Sequence, residues 1–303
     1  MSDPRRLDGA EPAAAVRDDA LARLDDCREA GVDPCLATLL VSDDPGARAF
    51  MDRKHDLCGE VGLDTRRIDL PADAPAERVY RTVEELGADP AVTALFVQVP
   101  LPSHVDEAAV RERVPPEKDV DCFAHANVGR LVAGDPRIRP VTALAVDRLL
   151  SAHGVEVAGR DAVVVGRTTA IGTPIAHLLC RRDATVTVCH SQTRDLGAKT
   201  RAADLLVTAA GTPGLVDGSM VSDGVVVVDV SANRVESEAS GGRSAADDDG
   251  ETVVVGDVDA ASVGEKAAAM TPVPGGVGPL TMACLLHNVA AVSAAGADAG
   301  QSR

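Results

Sequence analysis

The sequence has no tryptophan, and lysine supplies only four of its 30 basic residues. Basic charge is scarce as a whole, because 47 acidic residues give the 303-residue chain a net charge of −17. This deficit disfavours binding to nucleic acid or to an anionic membrane surface, since both partners need a basic face. An acidic chain with few lysines is typical of adaptation to high salt, which screens self-repulsion, although an ordinary acidic protein remains the alternative.

Paired cysteines are missing as well. The seven cysteines are odd in number and widely scattered, and none of them forms a Cys-x-x-Cys pair. This pattern argues against a disulfide framework and against a zinc site. No metal site is expected from the sequence.

Long apolar segments are also absent. The N-terminus lacks the apolar segment of a signal peptide, and no run reaches the about 18 apolar residues that a membrane span needs. We therefore expect a soluble, cytoplasmic protein. The length is typical of two domains, each of them able to bury a core.

Apolar runs alternate with amphipathic segments along most of the chain. This alternation predicts an α/β fold with parallel sheets, whose ligands bind beyond the carboxyl ends of the strands. The predicted strands are 36–41, 66–70, 94–98, 162–165, 185–189, 205–209 and 225–230, and the predicted helices are 13–29, 45–61, 75–86, 106–114, 142–151, one from Thr173, and 279–295. Residues 117–131 are predicted to be irregular, and the polar segment 236–250 is predicted to be a flexible loop.

The predicted helix at 45–61 carries the first candidate functional residue. At helical spacing, Lys54 lies within an apolar stripe and one turn from Phe50. The chain otherwise prefers arginine, which does not release its proton in proteins, so a lysine here suggests proton exchange. Two interpretations stay open: a desolvated Lys54 with a lowered pKa, or a lysine whose stem packs while its ammonium reaches water.

Two further candidates follow in the first half of the chain. Gln98 ends a predicted strand at a proline-rich loop, which is where a parallel sheet places its ligands. Asp119 and Asp121 share a face if their segment is extended, and a carboxylate there could accept paired N–H donors from a planar heterocycle. A strand-end amide and a solvated acidic loop are the simpler alternatives.

A glycine-containing turn opens the second half of the chain. A strand runs directly into Gly166 and Gly172, and a helix begins at Thr173. Glycine lets backbone N–H groups approach a phosphate at the helix N-terminus, so the turn predicts a dinucleotide site. Neutral Ser191 after the next strand, together with Arg167, favours the 2′-phosphate of NADP, with a plain surface arginine as the alternative.

The segment TPVPGGVGP, residues 271–279, is dense in proline and glycine. Its prolines stiffen the backbone, while Gly275, Gly276 and Gly278 leave room for a ligand to approach. An interdomain linker is the alternative. The combination of stiffness with missing side chains favours a binding loop.

Several motifs occur in one order along the chain: LDG at 7–9, VSDDPGARAFMDRK at 41–54, VQVPLP at 97–102, KDVDCF and NVGRL between 118 and 131, VVVGRTTAIGTP at 163–174, HSQT at 190–193 and TPVPGGVGPLT at 271–281. Together they resemble the bifunctional methylenetetrahydrofolate dehydrogenase/methenyltetrahydrofolate cyclohydrolase family over nearly the whole chain. The last motif is highly specific, and the ordered set is more specific still.

The resemblance implies two α/β domains. Residues 1–141 would form a parallel α/β folate domain, joined by a C-terminal helix of residues 280–303 that packs back on it, and residues 142–279 would form a Rossmann-type NADP-binding domain. It implies oxidation of 5,10-methylenetetrahydrofolate with NADP and hydrolysis of the methenyl product to 10-formyltetrahydrofolate, without a metal. It also implies a homodimer formed through the cofactor domain.

The resemblance assigns roles to individual residues. Lys54 matches the family's catalytic lysine, Gln98 its hydrogen-bond partner, and Asp121 the carboxylate that binds the pterin ring. The implied folate-binding residues are Phe50, Val99, Pro100, Leu101, Pro274, Gly275 and Gly276. The implied NADP-binding residues are Gly166, Arg167, Thr168, Ile171, Gly172, Ser191, Ser231, Gly278 and Thr281.

The chain departs from the family pattern at several positions. Phe50 replaces a usual tyrosine, and loss of a hydroxyl that orders Lys54 or a water would harm the cyclohydrolase step more than hydride transfer. Cys122 and Ser231 replace usual glycines, Val141 replaces a usual cysteine, and Gln192 replaces a common basic residue. Two alternatives to the bifunctional enzyme stay open: a dehydrogenase with slow or absent cyclohydrolase activity, and a non-catalytic folate- or nucleotide-binding protein.

Overall fold

The structure is a computed structural model that describes residues 3–236 and 252–301. The strands are β1 (Arg5–Arg6), β2 (Cys35–Val41), β3 (Asp64–Leu70), β4 (Ala94–Val97), β5 (Asp161–Val165), β6 (Thr185–Cys189), β7 (Leu205–Thr208), β8 (Val226–Asp229), β9 (Asn233–Glu236), β10 (Thr252–Val255) and β11 (Ala269–Met270). The helices are α1 (Ala10–Glu29), α2 (Pro45–Glu60), α3 (Ala76–Ala88), α4 (Glu107–Arg113), α5 (His125–Ala133), α6 (Val141–Ala152), α7 (Gly172–Arg181), α8 (Leu196–Arg201), α9 (Ala260–Gly264) and α10 (Val277–Gln301), with a short 3-10 helix at Gly218–Met220. The predicted α/β class with parallel sheets is confirmed.

The chain divides into two compact units. The first unit contains residues 13–144 and the part of α10 from Thr281 onward, and the second unit contains residues up to Pro12 together with 145–280.

A three-stranded parallel sheet with the order β3–β2–β4 forms the centre of the first unit. All seven residues of β2 are buried, as its uninterrupted apolar sequence requires. Apolar side chains of β2 and β4 pack with α3 and α4 in one core, which includes Leu39, Val83 and Val110. α3 joins this core because its apolar residues recur every three or four positions.

Helix α2 follows β2 and carries the candidate lysine. Asp44 caps its start by accepting the backbone N–H of Ala47 at 2.8 Å, which satisfies one of the free donors of the first turn. The side chains that α2 buries are Met51, Lys54 and Cys58. The predicted apolar stripe therefore does contain the lysine.

The segment 117–131 is irregular, as predicted, as far as Ala124, but its remaining residues belong to α5. Asp119 forms a parallel bridge to Leu95 of β4, the chain then bends, and α5 follows. The buried carboxylate of Asp119 stabilises this bend by accepting backbone N–H groups from Asp121, Phe123 and Ala124. The condition under which Asp119 and Asp121 would share a face, an extended segment, is therefore not met, because the backbone turns between them.

The second unit contains a six-stranded parallel sheet with the order β1–β11–β8–β7–β5–β6. The chain builds outward from β5 to β6, then returns to the other side of β5 to add β7 and β8. This reversal is a topological switch point, beside which open α/β sheets bind ligands. An antiparallel pair, β9 and β10, lies outside the main sheet. Most of the predicted flexible loop at 236–250 falls outside the described residues.

The N-terminal residues belong to the second unit. β1 pairs with β11, and the backbone N–H of Gly9 donates to the carbonyl of Gly275 at 2.9 Å. A side chain at Gly9 would overlap the carbonyl oxygen of Gly276. The division therefore differs from the predicted domain 1–141 at its beginning, because these short backbone pairings are non-local.

Helix α10 is long and apolar enough, over Val277–Gly296, to cross a membrane by length and composition alone. However, 61% of its apolar window is buried inside the protein. In the first unit, buried Asn288 donates to the carbonyl of Val120 at 2.8 Å, and Leu286 lies in the core. These features are those of a core helix, as expected for a C-terminal helix that packs on the first domain.

Candidate active site

Lys54 is the centre of a polar cluster in the first unit. Its side chain is buried, with an exposed fraction of 3% for the residue, and its Nζ donates a 2.8 Å hydrogen bond to Oε1 of Gln98. The Nε2 atom of Gln98 donates to the carbonyl of Val99, so the amide holds its oxygen toward the lysine. The snorkelling interpretation of Lys54 was therefore wrong, since its ammonium does not reach bulk water.

Two aromatic rings contact the same ammonium group. Nζ of Lys54 lies 3.9 Å from the ring centroid of Phe50 and 3.9 Å from that of Phe96. The sulfur of Met51 is a further neighbour at 3.8 Å. Aromatic faces attract a cation, so these rings favour the protonated form of the lysine.

Burial dominates the protonation equilibrium of Lys54. Desolvation lowers the pKa of Lys54 to about 7, with the Asp121 carboxylate opposing this decrease and the Arg53 charge adding to it. A lysine with this pKa exists as both amine and ammonium near neutral pH. It can therefore accept or donate a proton, whereas an ordinary surface lysine stays charged.

Asp121 is perturbed in the opposite direction. Desolvation raises the pKa of Asp121 to about 7, and the nearby Asp119 carboxylate adds to the increase. The backbone N–H of Val141 donates to its carboxylate at 2.7 Å and, together with the charge of Lys54, limits the shift. A lysine and a carboxyl group that both titrate near neutrality are typical of a site for acid–base chemistry.

The three predicted catalytic residues come from successive parts of one sheet edge. Lys54 lies on the helix that follows β2, Gln98 follows β4, and Asp121 follows the segment that bridges to β4. Parallel strands bring these carboxyl ends to the same edge. Of the neighbouring loop residues, Val99 and Leu101 pack partly against the core, and Pro100 is exposed.

The glycine turn of the second unit packs closely against neighbouring backbone. Gly166 follows β5 with a φ of 132°, which favours glycine, and a side chain there would overlap the carbonyl oxygen of Ala209. A side chain at Gly172, the first residue of α7, would overlap the backbone of Gly166. Both glycines are therefore required by close backbone packing, which places the start of α7 just beyond β5, and the N-terminus of a helix is a site where a phosphate can bind.

Arg167 and Ser191 follow neighbouring strands of the same sheet. β5 and β6 pair in parallel with Val165 opposite Cys189, so both residues lie just beyond the carboxyl ends. Both side chains are exposed, as binding of a ligand phosphate requires. Thr168 and Ile171 lie in the turn itself, where the Ile171 N–H donates to the Thr168 hydroxyl at 3.3 Å.

The remaining predicted ligand-binding residues lie in the segments after β8 and β11. Ser231 does not present a free hydroxyl, because its Oγ donates to Asp257 at 2.7 Å. Pro274 and Gly278 are exposed, whereas Gly276 is buried. Gly278 and Thr281 both lie in the first turns of α10. Within the described residues, no group of His, Cys, Asp or Glu side chains is arranged to hold a metal ion.

Two family models match the chain. The catalytic domain of tetrahydrofolate dehydrogenase/cyclohydrolase matches residues 7–121, and the NAD(P)-binding domain of the same enzymes matches residues 140–296. The chain therefore belongs to the tetrahydrofolate dehydrogenase/cyclohydrolase family. The resemblance inferred from the ordered motifs and the expectation of a dinucleotide-binding domain are confirmed.

Relatives of known name match over almost the whole chain. Bifunctional protein FolD of Haloquadratum walsbyi is 46% identical over 96% of this chain and 92% of its own. Bifunctional protein FolD 1 of Haloarcula marismortui is 45% identical over 93% of each chain. The crystal structure of methylenetetrahydrofolate dehydrogenase-cyclohydrolase of Trypanosoma brucei, complexed with NADP cofactor and inhibitor, is 36% identical, covers 98% of this chain and 99% of its own, and has a TM-score of 0.88.

The structure of this family member also adds residues that the sequence analysis missed. Phe96 of β4 contacts the lysine ammonium. It lies two residues before Gln98, so strand alternation places both side chains on the same face and could have revealed Phe96. Asp257 gathers hydrogen bonds from two loops of the second unit. No local pattern marks that role, because the donors lie far from Asp257 in sequence.

Proposed function

We propose that this member of the family is an NADP-dependent 5,10-methylenetetrahydrofolate dehydrogenase that also hydrolyses the methenyl product to 10-formyltetrahydrofolate. The observation that carries the proposal is the buried Lys54 ammonium, held by Gln98 and flanked by two aromatic rings. The names of the relatives, bifunctional protein FolD and methylenetetrahydrofolate dehydrogenase-cyclohydrolase, agree with this assignment.

The proposed cyclohydrolase chemistry uses the shared protonation range of Lys54 and Asp121. Hydrolysis of a methenyl group requires removal of a proton from the attacking water and delivery of a proton to the departing nitrogen. Lys54, with a pKa lowered by burial to about 7, can serve in either direction at neutral pH. Gln98 orients the Nζ atom of Lys54. The carboxyl of Asp121 is suited to hydrogen bonds with the pterin ring.

The proposed dehydrogenase step requires a dinucleotide in the second unit. NADP would supply the hydride acceptor at its nicotinamide ring. The start of α7 just beyond β5 fits a pyrophosphate, and exposed Arg167 and Ser191 fit the 2′-phosphate. We propose the same assignments as in the family for the remaining cofactor residues, which are Thr168, Ile171, Gly278 and Thr281, and for the folate-binding residues Phe50, Val99, Pro100, Leu101, Pro274, Gly275 and Gly276. We do not propose a direct contact between the Ser231 side chain and NADP, because its hydroxyl already donates to Asp257.

The experiment is a turnover assay in molar salt that follows NADPH and the methenyl intermediate separately. Wild-type protein is expected to form NADPH without accumulation of the methenyl compound. Lys54→Met is expected to lower methenyl hydrolysis at least about 100-fold, because the proton-transfer group is lost. Lys118→Met is the matched control, since Lys118 donates to the carbonyl of Asp89 and has no place in the proposed chemistry.

Three results would contradict parts of the proposal. Binding of folate and NADP without any turnover would identify a non-catalytic binding protein. Equal losses in the Lys54→Met and Lys118→Met variants would remove Lys54 from its proposed role. NADPH formation with methenyl accumulation at its uncatalysed rate of hydrolysis would identify a dehydrogenase without the second activity.

That last possibility is the second candidate function, and it is motivated by Phe50. The structure favours the bifunctional assignment, because Gln98 and the ring of Phe96 hold Lys54 without any tyrosine hydroxyl. We expect Phe50→Tyr to change methenyl hydrolysis by no more than about threefold, which corresponds to less than one net hydrogen bond. A much larger increase would show that the missing hydroxyl had impaired the wild-type enzyme.

We also propose a cytoplasmic homodimer that associates through the second unit. The proposal follows the family pattern, and the net charge of −17 gives no reason to add a nucleic-acid or membrane partner. Light scattering in molar salt tests the oligomeric state. A monomer at micromolar concentration would contradict the proposed dimer.

A further inference from the structure

Asp257 is a fully buried carboxylate in the second unit. It accepts five hydrogen bonds: from the backbone N–H groups of Ala210 at 2.6 Å, Gly211 at 3.2 Å and Thr212 at 2.7 Å, from the hydroxyl of Ser231 at 2.7 Å, and from the amide of Asn233 at 3.1 Å. All five donors are neutral. A buried charge satisfied in this way fixes the position of every group that donates to it.

The donors belong to two loops at the carboxyl ends of neighbouring strands. Residues 209–212 follow β7, and residues 230–233 follow β8. The side chain of Ser231 joins the loops directly, since its Oγ donates to Asp257 and accepts the Gly211 N–H at 3.2 Å. Residues 210–212 are exposed, so the buried carboxylate shapes a stretch of surface backbone.

The first of these loops also borders the glycine turn. The backbone N–H of Ala209 donates to the carbonyl of Val165 at 2.7 Å, and the carbonyl of Ala209 occupies the space beside Gly166. The loop therefore lies at the topological switch point, between the ends of β5 and β7. Its backbone is placed to meet a ligand that enters the glycine turn.

A second buried carboxylate supports the first. Asp229, the last residue of β8, accepts the N–H of Ser231 at 3.1 Å and the N–H of Val258 at 2.9 Å. A side chain at Gly256 would overlap this carboxylate, so Asp229 packs directly against the segment that carries Asp257. The two acids thus tie the segment 256–258 to the loop after β8.

We propose that Asp257 is a positioning residue for NADP, acting through the loops at 209–212 and 230–233, with the Ser231 hydroxyl as its cross-link. This inference rests on the proposed NADP-dependent function and adds a residue that does not touch the cofactor. Ser231 thereby takes a role in loop geometry where a glycine is usual in the family. The proposal concerns the shape of the site and not its charge.

Substitution of Asp257 by Asn separates the two effects. The change is isosteric, but the NH2 group of Asn would face N–H donors in either orientation: those of Ala210 and Gly211 on one side, or those of Thr212 and Asn233 on the other. If only charge mattered, loss of a negative charge would strengthen binding of the anionic cofactor. If position matters, binding weakens, and we expect at least an about tenfold increase in the NADP dissociation constant from the loss of charge-assisted hydrogen bonds.

The experiment measures NADPH binding by fluorescence titration of the full chain in molar salt, without folate. Asp259→Asn is the matched control, because it makes the same change two residues away, at an exposed cap that contacts Ala261 and Ser262. It is expected to change binding by less than about twofold, as surface substitutions usually have small effects. Methenyl hydrolysis, which is proposed to use Lys54 in the first unit, is measured on each variant and is expected to remain unchanged.

A milder variant keeps the proposal testable if Asp257→Asn fails to fold. Ser231→Ala removes the cross-link but leaves the carboxylate, and an about threefold to tenfold weakening of NADPH binding is expected from the loss of one or two hydrogen bonds. Unchanged or tighter binding in both Asp257→Asn and Ser231→Ala would overturn the proposal. Parallel losses of NADPH binding and methenyl hydrolysis in both variants would overturn it as well, by showing a general loss of folded protein. If wild-type protein binds no NADPH, the proposed cofactor fails before the role of Asp257 is reached.

Discussion

At the scale of a single residue, burial of an ammonium group costs free energy, and the contacts that offset this cost at Lys54 are unusual. Its charge has one neutral acceptor, Gln98, and two aromatic faces, while the Asp121 carboxyl is itself partly protonated near neutral pH because burial raises its pKa to about 7. None of these partners stabilises the ammonium as strongly as a fully ionised carboxylate in contact with it would. The ammonium is therefore stable enough to form and weak enough to exchange.

Replacement of one ring should move the protonation range of Lys54. In Phe96→Leu, loss of a cation–π contact disfavours the ammonium and lowers the pKa of Lys54 by about half a unit to one unit. The groups that bear on Lys54 from its surroundings are Asp121, Arg53 and Cys58, and all of them remain. We expect the limb of the pH–rate profile for methenyl hydrolysis near neutrality to move to lower pH by that amount.

The matched control for this prediction is Phe123→Leu. The ring of Phe123 is also buried in the first unit, but its cation partner is Arg111, at 4.1 Å. This variant should lose stability without displacing the profile. A displacement of equal size in both variants would mean that general loosening of the core, and not the ring on Lys54, sets the pH dependence.

At the scale of elements, the ends of helices carry identifiable strain. Helix α7 ends at Arg181, and Asp183 beyond its cap has a φ of 64°, in the left-handed region that favours glycine. Asp183 is exposed, so its side chain contributes no burial at this position. Its carboxylate also lies near the negative end of the helix dipole, which is unfavourable.

Asp183→Gly should therefore stabilise the second unit. Relief of the backbone strain and of the charge should raise the free energy of unfolding by about 1 kcal/mol, an increase in melting temperature of about 2–4 °C. Thermal unfolding at about 0.1 M salt, where the Asp183 charge is only partly screened, checks the value. Asp183→Asn, which keeps a side chain that tolerates this conformation but removes the charge, should give a smaller increase, and a loss of stability in Asp183→Gly would contradict the prediction.

Local patterns predicted most of the long elements and raised Lys54 and Gln98 as candidates, whereas the roles of Gln98 and Asp121 followed only from the family resemblance. The apolar stripe of α2 marked Lys54, and strand ends marked Gln98 and Gly166, because helix and strand periodicity are properties of neighbouring residues. The elements that were missed depend on distant partners. β1 and β11 are two residues each and exist because Arg5 pairs with Ala269, and α5 follows a bend that the buried Asp119 stabilises. Periodicity carries no information about such contacts.

At the scale of the whole molecule, the chain retains lysine where its ammonium has a specific acceptor. Three of the four lysines donate to an uncharged oxygen: Lys54 to Gln98, Lys118 to the carbonyl of Asp89, and Lys266 to the carbonyl of Val221. The other 26 basic residues are arginines. Several of them form ion pairs with carboxylates on the surface, such as Arg113 with Glu84. Such exposed pairs contribute little and leave most of the excess negative charge unopposed.

That excess predicts how stability depends on salt. A net charge of −17 on 303 residues repels itself over the about 10 Å screening length at 0.1 M salt and over only about 3 Å at 1 M. The melting temperature should therefore rise by roughly 10 °C between 0.1 M and 2 M KCl, because relief of repulsion outweighs the weakening of surface ion pairs. Sucrose, which stabilises by exclusion but does not screen charge, is the control and should not reproduce the steep initial part of the rise. A melting temperature that stays constant or falls as KCl is added would show that the acidic surface is not an adaptation to salt.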